Sequence, residues 1–73
     1  MLEIILNGEK KSISPQCTAL ELTNLLGLRE QRIAMEVNRE VIPRSRYDQF
    51  TFTAGDQVEI VRAIGGGLAT ASP

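Results

Sequence analysis

The chain has 73 residues, of which 42% are hydrophobic and 23% charged, and its formal net charge is −1. A chain this short forms one small domain with little room for an enclosed active site. Its charge balance argues against binding to nucleic acid or to an anionic membrane. We find neither a signal peptide nor a spanning segment in the sequence, so we expect a cytoplasmic protein.

Residue types that usually carry catalysis are scarce. The chain has no histidine and a single cysteine, Cys17. The commonest general base and metal ligand is therefore missing, and neither an intrachain disulfide nor a CxxC site can form. We interpret Cys17 as a small, partly buried residue near a helix start, with a reactive thiol as the alternative. We expect no metal site and no enzymatic activity, so that in any chemistry the chain is the substrate.

The chain begins with a predicted hairpin. Leu2, Ile4 and Leu6 recur at the period of two that is typical of a strand with one buried face. Asn7-Gly8 predicts a tight turn, because both residues tolerate positive φ. Residues 10–13 then form a short, basic return strand.

A helix is predicted over residues 19–26. Thr18 and Glu21 fit a capping box, in which each side chain accepts the backbone N–H of the other residue. Gly27 is well placed to end the helix. The apolar positions recur at helical spacing: Ala19, Leu22, Leu25 and Leu26.

Three further strands are predicted in the second half. Ile33, Met35 and Val37 alternate as a strand, Asn38-Arg39 turns the chain, and residues 40–42 form a short strand. A single helical turn or a loop follows at 44–47, Phe50 and Phe52 help to close the core, and the last strand covers 57–64. Three arginines make this region locally basic, although such clusters are usually only solvated: Arg39, Arg44 and Arg46.

One face of the predicted sheet carries apolar residues that point away from the helix. Val58 and Ile60 share one face of the last strand, whereas Val61 and Ala63 lie on the other. In the first strand, Ile5 is the outward apolar residue. If the two strands are neighbours, Ile5, Val61 and Ala63 form a modest patch to which a partner could dock.

The chain ends in a glycine run, Gly65-Gly66-Gly67, followed by residues 68–73. We therefore divide it into a domain, 1–64, and a flexible tail, 65–73. A chain ending at Gly67 would present an unhindered carboxylate roughly 15 Å from the domain, which is enough to enter a partner's active site. A frayed terminus without a role is the alternative.

The predicted order of hairpin, helix, strand, short strand and strand is α+β. With these elements placed, the sequence resembles the ubiquitin-like β-grasp family, and within it the ThiS-type sulfur carriers of thiamine biosynthesis. The resemblance implies a mixed sheet of four to five strands with one main helix on one face. It covers residues 1–67 and rests on four stretches: Leu6-Asn7-Gly8, residues 37–44, residues 55–61 and Gly66-Gly67.

The resemblance also implies a mechanism. A ThiF-type adenylating enzyme, using ATP and Mg²⁺, would activate the carboxylate of Gly67, and sulfur from a donor such as a cysteine desulfurase would convert it to a thiocarboxylate. A ThiG-type thiazole synthase would then receive the sulfur. Gly65 and Gly66 would supply the reach, and the chain itself would bind no cofactor.

Three alternatives to this assignment stay open. The small subunit of molybdopterin synthase shares the fold and the diglycine end, and a ubiquitin-like protein modifier or an inert β-grasp interaction module would also fit. In addition, Gly67 is followed by Leu68 and therefore carries an amide. Either a protease exposes Gly67, or residues 68–73 are an artefact, or the chain is not a carrier.

Overall fold

A computed structural model describes residues 1–28 and 31–62. In chain order the elements are β1 (Leu2–Leu6), β2 (Glu9–Ile13), α1 (Ala19–Leu25), β3 (Ile33–Val37), β4 (Glu40–Ile42), a 3₁₀ turn (Arg44–Arg46) and β5 (Gln57–Arg62). The five strands form one sheet in the order β2-β1-β5-β3-β4. The predicted α+β architecture, a mixed sheet with one main helix, is confirmed.

The last strand lies in the middle of the sheet. β5 runs parallel to β1, with Ile5 opposite Gln57, and antiparallel to β3, with Met35 opposite Ile60. The β1–β2 and β3–β4 pairs are antiparallel hairpins. A parallel pair requires a crossover connection, and here the crossover contains α1. The predicted end of this strand, residues 63–64, lies outside the described residues.

Helix α1 begins with all of its first backbone donors satisfied. Thr18 Oγ1 accepts the Glu21 N–H at 3.1 Å, and Glu21 Oε1 accepts the Thr18 N–H at 3.0 Å, so the predicted capping box is confirmed. The N–H groups of Ala19 and Leu20 donate to the carbonyls of Phe50 and Tyr47. These two bonds attach the helix start to the loop before β5, since the first turn of a helix has no internal acceptors.

The helix ends one residue earlier than predicted, at Leu25, and Gly27 has the positive φ of +72° expected after a helix C-cap. The Leu28 N–H donates to Thr23 O, and the Gly27 N–H donates to Asn24 O. This pair of bonds is the Schellman arrangement, which satisfies carbonyls that the helix itself leaves free.

The core lies between α1 and one face of the sheet. Ile4, Leu22 and Met35 are fully buried, and Val58 is 1% exposed. The prediction that Leu25 belongs to the apolar side of the helix is wrong, because Leu25 is 68% exposed. Thr23 is buried instead, and its hydroxyl donates to Leu20 O at 2.6 Å. At about 100° per residue, Leu25 lies about 120° around the helix from Ala19, whereas Leu22 and Thr23 lie within about 60° of Ala19 and share its buried face.

Both hairpin turns use residues with positive φ. Asn7 and Gly8 have φ of +49° and +86°, and Asn38 and Arg39 have +53° and +71°. Such values match the turns that suit the twist of two-residue hairpins. The aromatic prediction also holds, since Phe52 is buried and Phe50 packs edge-on against it with the ring centroids 5.3 Å apart. No helix within residues 1–28 and 31–62 is long and apolar enough to span a membrane.

Candidate functional site

The candidate site is the end of β5, from which the C-terminal residues continue. Val61 pairs with Ala34 and Arg62 pairs with Ile33, so the strand end is attached to β3. The sequence-predicted residues Ala63, Gly65, Gly66 and Gly67 lie outside the described residues, and their roles stay predictions.

Two arginines converge on Gln31 beside this strand end. Arg62 Nη2 donates to Gln31 Oε1 at 3.3 Å, and Arg44 Nη1 donates to Gln31 O at 3.2 Å. The Arg44 guanidinium also lies 5.9 Å from the centre of the Tyr47 ring. Gln31 therefore links the last described residue of β5 to the 3₁₀ turn, a connection that the sequence analysis did not identify.

Of the three arginines that look clustered in the sequence, Arg39 is separated in the fold from Arg44 and Arg46, which share the 3₁₀ turn. Arg39 lies in the β3–β4 turn, next to Asn38, whose N–H donates to Gln57 O at the start of β5. Arg44 lies at the other end, where Gln31 joins it to Arg62. The two ends of the six-residue strand β5 are about 16 Å apart. The structure therefore forms no single basic patch from Arg39 and Arg44.

The open sheet face, which lies opposite α1, carries both described residues of the predicted docking patch. Ile5 and Val61 are half-buried there, and their strands are neighbours, which was the condition for a shared patch. They are not direct partners, however, since Ile5 is opposite Gln57 and Val61 is opposite Ala34. Four residues along a strand correspond to about 13 Å. The patch is thus spread along β5.

Two carboxylates face each other near the middle of this open face. Glu36 of β3 and Glu59 of β5 are direct antiparallel partners, and the next position along each strand on this face is the Ala34–Val61 pair. Like charges directly opposite one another destabilise a sheet. The open face is therefore apolar at Val61 and acidic immediately beside it.

Cys17 belongs to the scaffold. It is 5% exposed and belongs to the same hydrophobic core as Ala19 and Leu22. Burial raises the pKa of the Cys17 thiol, and the nearby Glu21 carboxylate raises it further. A thiol held in its protonated form is a poor nucleophile, which agrees with the interpretation of Cys17 as a buried structural residue.

The candidate functional features of the described residues are the open sheet face and the end of β5. Within residues 1–28 and 31–62, no three His, Cys, Asp or Glu side chains lie together as a metal site. The contacts of Gln31, the Glu36–Glu59 pair and the hydrogen bonds between the Asn7 side chain and Ile60 were not predicted from the sequence. Each of these depends on which strands are neighbours and in which register, for which the sequence holds no local signal.

Comparison with known proteins places this geometry in a family. The family model described as "ThiS family" matches residues 4–67, which is most of the chain. A solved structure of a thiamine biosynthesis protein (ThiS) from Geobacter metallireducens superimposes with a TM-score of 0.76 at 28% identity. That similarity covers 90% of this chain and 100% of the solved one.

Two curated relatives differ greatly in length. The sulfur carrier protein ThiS of Escherichia coli K12 is 27% identical over 66 residues, which cover 90% of this chain and 100% of the relative. A thiazole synthase of Paramagnetospirillum magneticum is 38% identical over 66 residues, which cover 90% of this chain and 20% of the relative. The chain thus spans about a fifth of that thiazole synthase, whose polypeptide contains a segment similar to it.

Proposed function

The chain belongs to the ThiS family, and from this premise we propose that it is a sulfur carrier of thiamine biosynthesis. The observation that carries the proposal is the family match over residues 4–67, which ends at the last glycine of the run. The full-length similarity to the Escherichia coli sulfur carrier supports the same function.

In the proposed mechanism the chain is the substrate. Once Gly67 is the terminal residue, its carboxylate oxygen attacks the α-phosphorus of ATP, and pyrophosphate leaves with the help of Mg²⁺ held by an adenylating enzyme. Hydrosulfide released by the sulfur donor then attacks the acyl carbon, AMP leaves with the bonding electrons, and the S–H proton is lost to solvent. The product is a thiocarboxylate on Gly67. Activation is needed because a free carboxylate resists nucleophiles, whereas an acyl-adenylate has a good leaving group.

The proposed acceptor of the sulfur is a thiazole synthase. The supporting observation is that a segment similar to this chain forms about a fifth of the thiazole synthase of Paramagnetospirillum magneticum. Two activities joined in one polypeptide gain a high effective concentration for their encounter. We propose that this chain delivers its sulfur to an acceptor of the same kind.

The open sheet face is the proposed docking surface for the adenylating enzyme. Ile5 and Val61 lie on this face, and Val61 immediately precedes Arg62 at the end of β5. A partner that covers the face is therefore positioned to receive the residues that follow β5. Ala63, which lies outside the described residues, would extend the surface toward the glycine run.

The decisive experiment compares the 73-residue chain with a chain that ends at Gly67. Each is incubated with ATP, Mg²⁺ and the cognate adenylating enzyme, first alone and then with a sulfur donor. We expect only the shorter chain to form the adenylate and then to gain the mass that corresponds to replacing one oxygen by sulfur. Intact-mass spectrometry measures both steps. Activation of the longer chain at Pro73, or no activation of the shorter chain by a demonstrably active enzyme, contradicts the proposal.

The docking surface is tested separately by adding charge. Ile5→Glu and Val61→Glu should weaken binding to the adenylating enzyme at least tenfold, because a buried unpaired carboxylate costs more than the about 1.4 kcal/mol that a tenfold change represents. Gln16→Glu is the matched control, since Gln16 is exposed on the helix side, in the segment leading into α1. Calorimetric titration measures the affinities. Unchanged affinity in folded Ile5→Glu and Val61→Glu would place the docking surface elsewhere.

A further inference from the structure

The two strands that flank β5, β1 and β3, do not pair with it over the same length. On the β1 side, the Ile5 N–H donates to Asp56 O at 2.9 Å and the Asn7 N–H donates to Val58 O at 2.8 Å. β1 then ends at Leu6, and Asn7 turns away with a φ of +49°. The backbone of β1 therefore reaches no further than Val58, although β5 continues to Arg62.

The side chain of Asn7 replaces the missing strand at Ile60. Its Oδ1 accepts the Ile60 N–H at 2.9 Å, and its Nδ2 donates to Ile60 O at 3.4 Å. A carboxamide offers one acceptor and an N–H donor side by side, as a peptide unit does. Both bonds are partly buried, so water competes with them less than at an exposed site.

A second asparagine makes an analogous contact at the opposite end of β5. Asn38 Oδ1 accepts the Gln57 N–H at 3.0 Å, and Asn38 Nδ2 donates to Asp56 Oδ1 at 3.0 Å. Asn38 also occupies the first position of a hairpin turn and also has positive φ. The two residues thus share type, turn position and strand, but Asn38 holds the start of β5 and Asn7 holds the part that leads to the C-terminal residues.

We propose that Asn7 is a positioning residue, whose side-chain amide fixes the second half of β5 and with it the direction in which the chain continues from Arg62. The inference rests on the proposed function, because direction matters only if Gly67 must enter a partner's active site. A reacting group delivered along a fixed path reaches productive geometry more often than one on a loose support. A displacement of about 1 Å far from the chemistry can lower a rate by about a hundredfold.

The first test uses the 73-residue chain and backbone amide exchange followed by NMR. Asn7→Gly and Asn38→Gly both remove a carboxamide and keep a residue that tolerates positive φ. We expect exchange at the Ile60 N–H to accelerate about tenfold in Asn7→Gly, beyond any change in global stability, while Gln57 keeps its protection. Asn38→Gly should show the reverse pattern. Equal protection of Ile60 in the wild-type chain and Asn7→Gly would overturn the inference.

The second test measures adenylation kinetics on chains that end at Gly67. Asn7→Gly should lower kcat about tenfold at nearly constant KM, because the docking face is unchanged while delivery is impaired. Asn38→Gly should keep both constants. Asn7→Asp retains the acceptor for the Ile60 N–H, so its kcat should lie between the two, and it serves as the test variant if Asn7→Gly does not fold.

The outcomes of these tests separate the inference from the proposed function. If the wild-type chain ending at Gly67 is not adenylated, the proposed function is wrong, and so is the role of Asn7 in delivery, while amide exchange still decides whether Asn7 holds β5. If the wild-type chain is adenylated and Asn7→Gly equals Asn38→Gly in kcat, only the positioning role is wrong. A rise in KM at constant kcat would instead assign Asn7 to docking and overturn the inference.

Discussion

The two faces of the sheet are built from the same strands but differ in chemistry. The face covered by α1 carries Ile4, Met35 and Val58, which are at most 1% exposed. The open face carries half-buried Ile5 and Val61 together with the opposed Glu36 and Glu59. Alternation along each strand assigns one face to the core and the other to solvent or a partner. We therefore expect substitutions on the covered face to lower the stability of the fold much more than substitutions on the open face.

The largest expected difference lies between two valines of β5. Val58 is 1% exposed on the covered face, whereas Val61 is half-buried on the open face. Val58→Ala should lower the free energy of unfolding by about 2 kcal/mol, because the lost methyl groups leave a cavity. Val61→Ala should change it by less than about 0.5 kcal/mol. Urea titration measures both, and equal losses would contradict the division between the faces.

The next largest effect is expected at the N-cap of α1, the helix that covers the buried face of the sheet. Thr18→Ala should lower the free energy of unfolding by about 1 kcal/mol, since the Glu21 N–H loses its acceptor. Thr18→Ser keeps a hydroxyl in the same place and should restore most of the loss. Adenylation of the chain ending at Gly67 should be unaffected. Equal stability of the wild-type chain and Thr18→Ala would show that this bond contributes nothing.

A smaller effect of opposite sign is expected on the open face. Glu36→Gln removes one of two carboxylates that lie directly opposite each other, and it should raise the free energy of unfolding by about 0.3 kcal/mol. Glu59→Gln should raise the free energy of unfolding by a similar amount. The double variant should be little more stable than either single variant, because one substitution already removes the repulsion. The gain should shrink at high salt because the repulsion is screened. Destabilisation by either single change would show that the pair is not repulsive.

The smallest effect concerns the pH dependence contributed by Cys17. Its pKa is raised in the folded chain above the ordinary value of 9.0, first by burial and then by Glu21. The protonated thiol therefore contributes stability that is fully present below pH 9.0 and is lost as pH rises through the folded pKa. Tyr47, whose pKa burial also raises, acts in the same direction. Cys17→Ala should thus lose less stability than the wild-type chain on alkalinisation; identical slopes would contradict the shift.

The sequence alone determined most local elements, because their causes are local. The alternation of Ile33, Met35 and Val37 predicts a strand, and the Thr18–Glu21 spacing predicts a cap, from neighbouring residues alone. Alternation also correctly assigned Ile5 and Val61 to the open face. The fold itself was predicted from the resemblance to the β-grasp family, because several short motifs of that family occur in this sequence in the same order.

Only the tertiary structure decided which residues meet. Strand order and register depend on contacts between residues far apart in sequence. No local pattern therefore predicted that Glu36 lies opposite Glu59, or that Ile5 and Val61 lie at different positions along the sheet. The same holds for Leu25, which lies at helical spacing from Leu22 but is 68% exposed. Asn7 combines a local feature that the sequence predicts with a long-range contact that only the fold creates. Its backbone forms a turn that the sequence predicts, while its side chain bonds Ile60, 53 residues away, because β1 ends before β5 does.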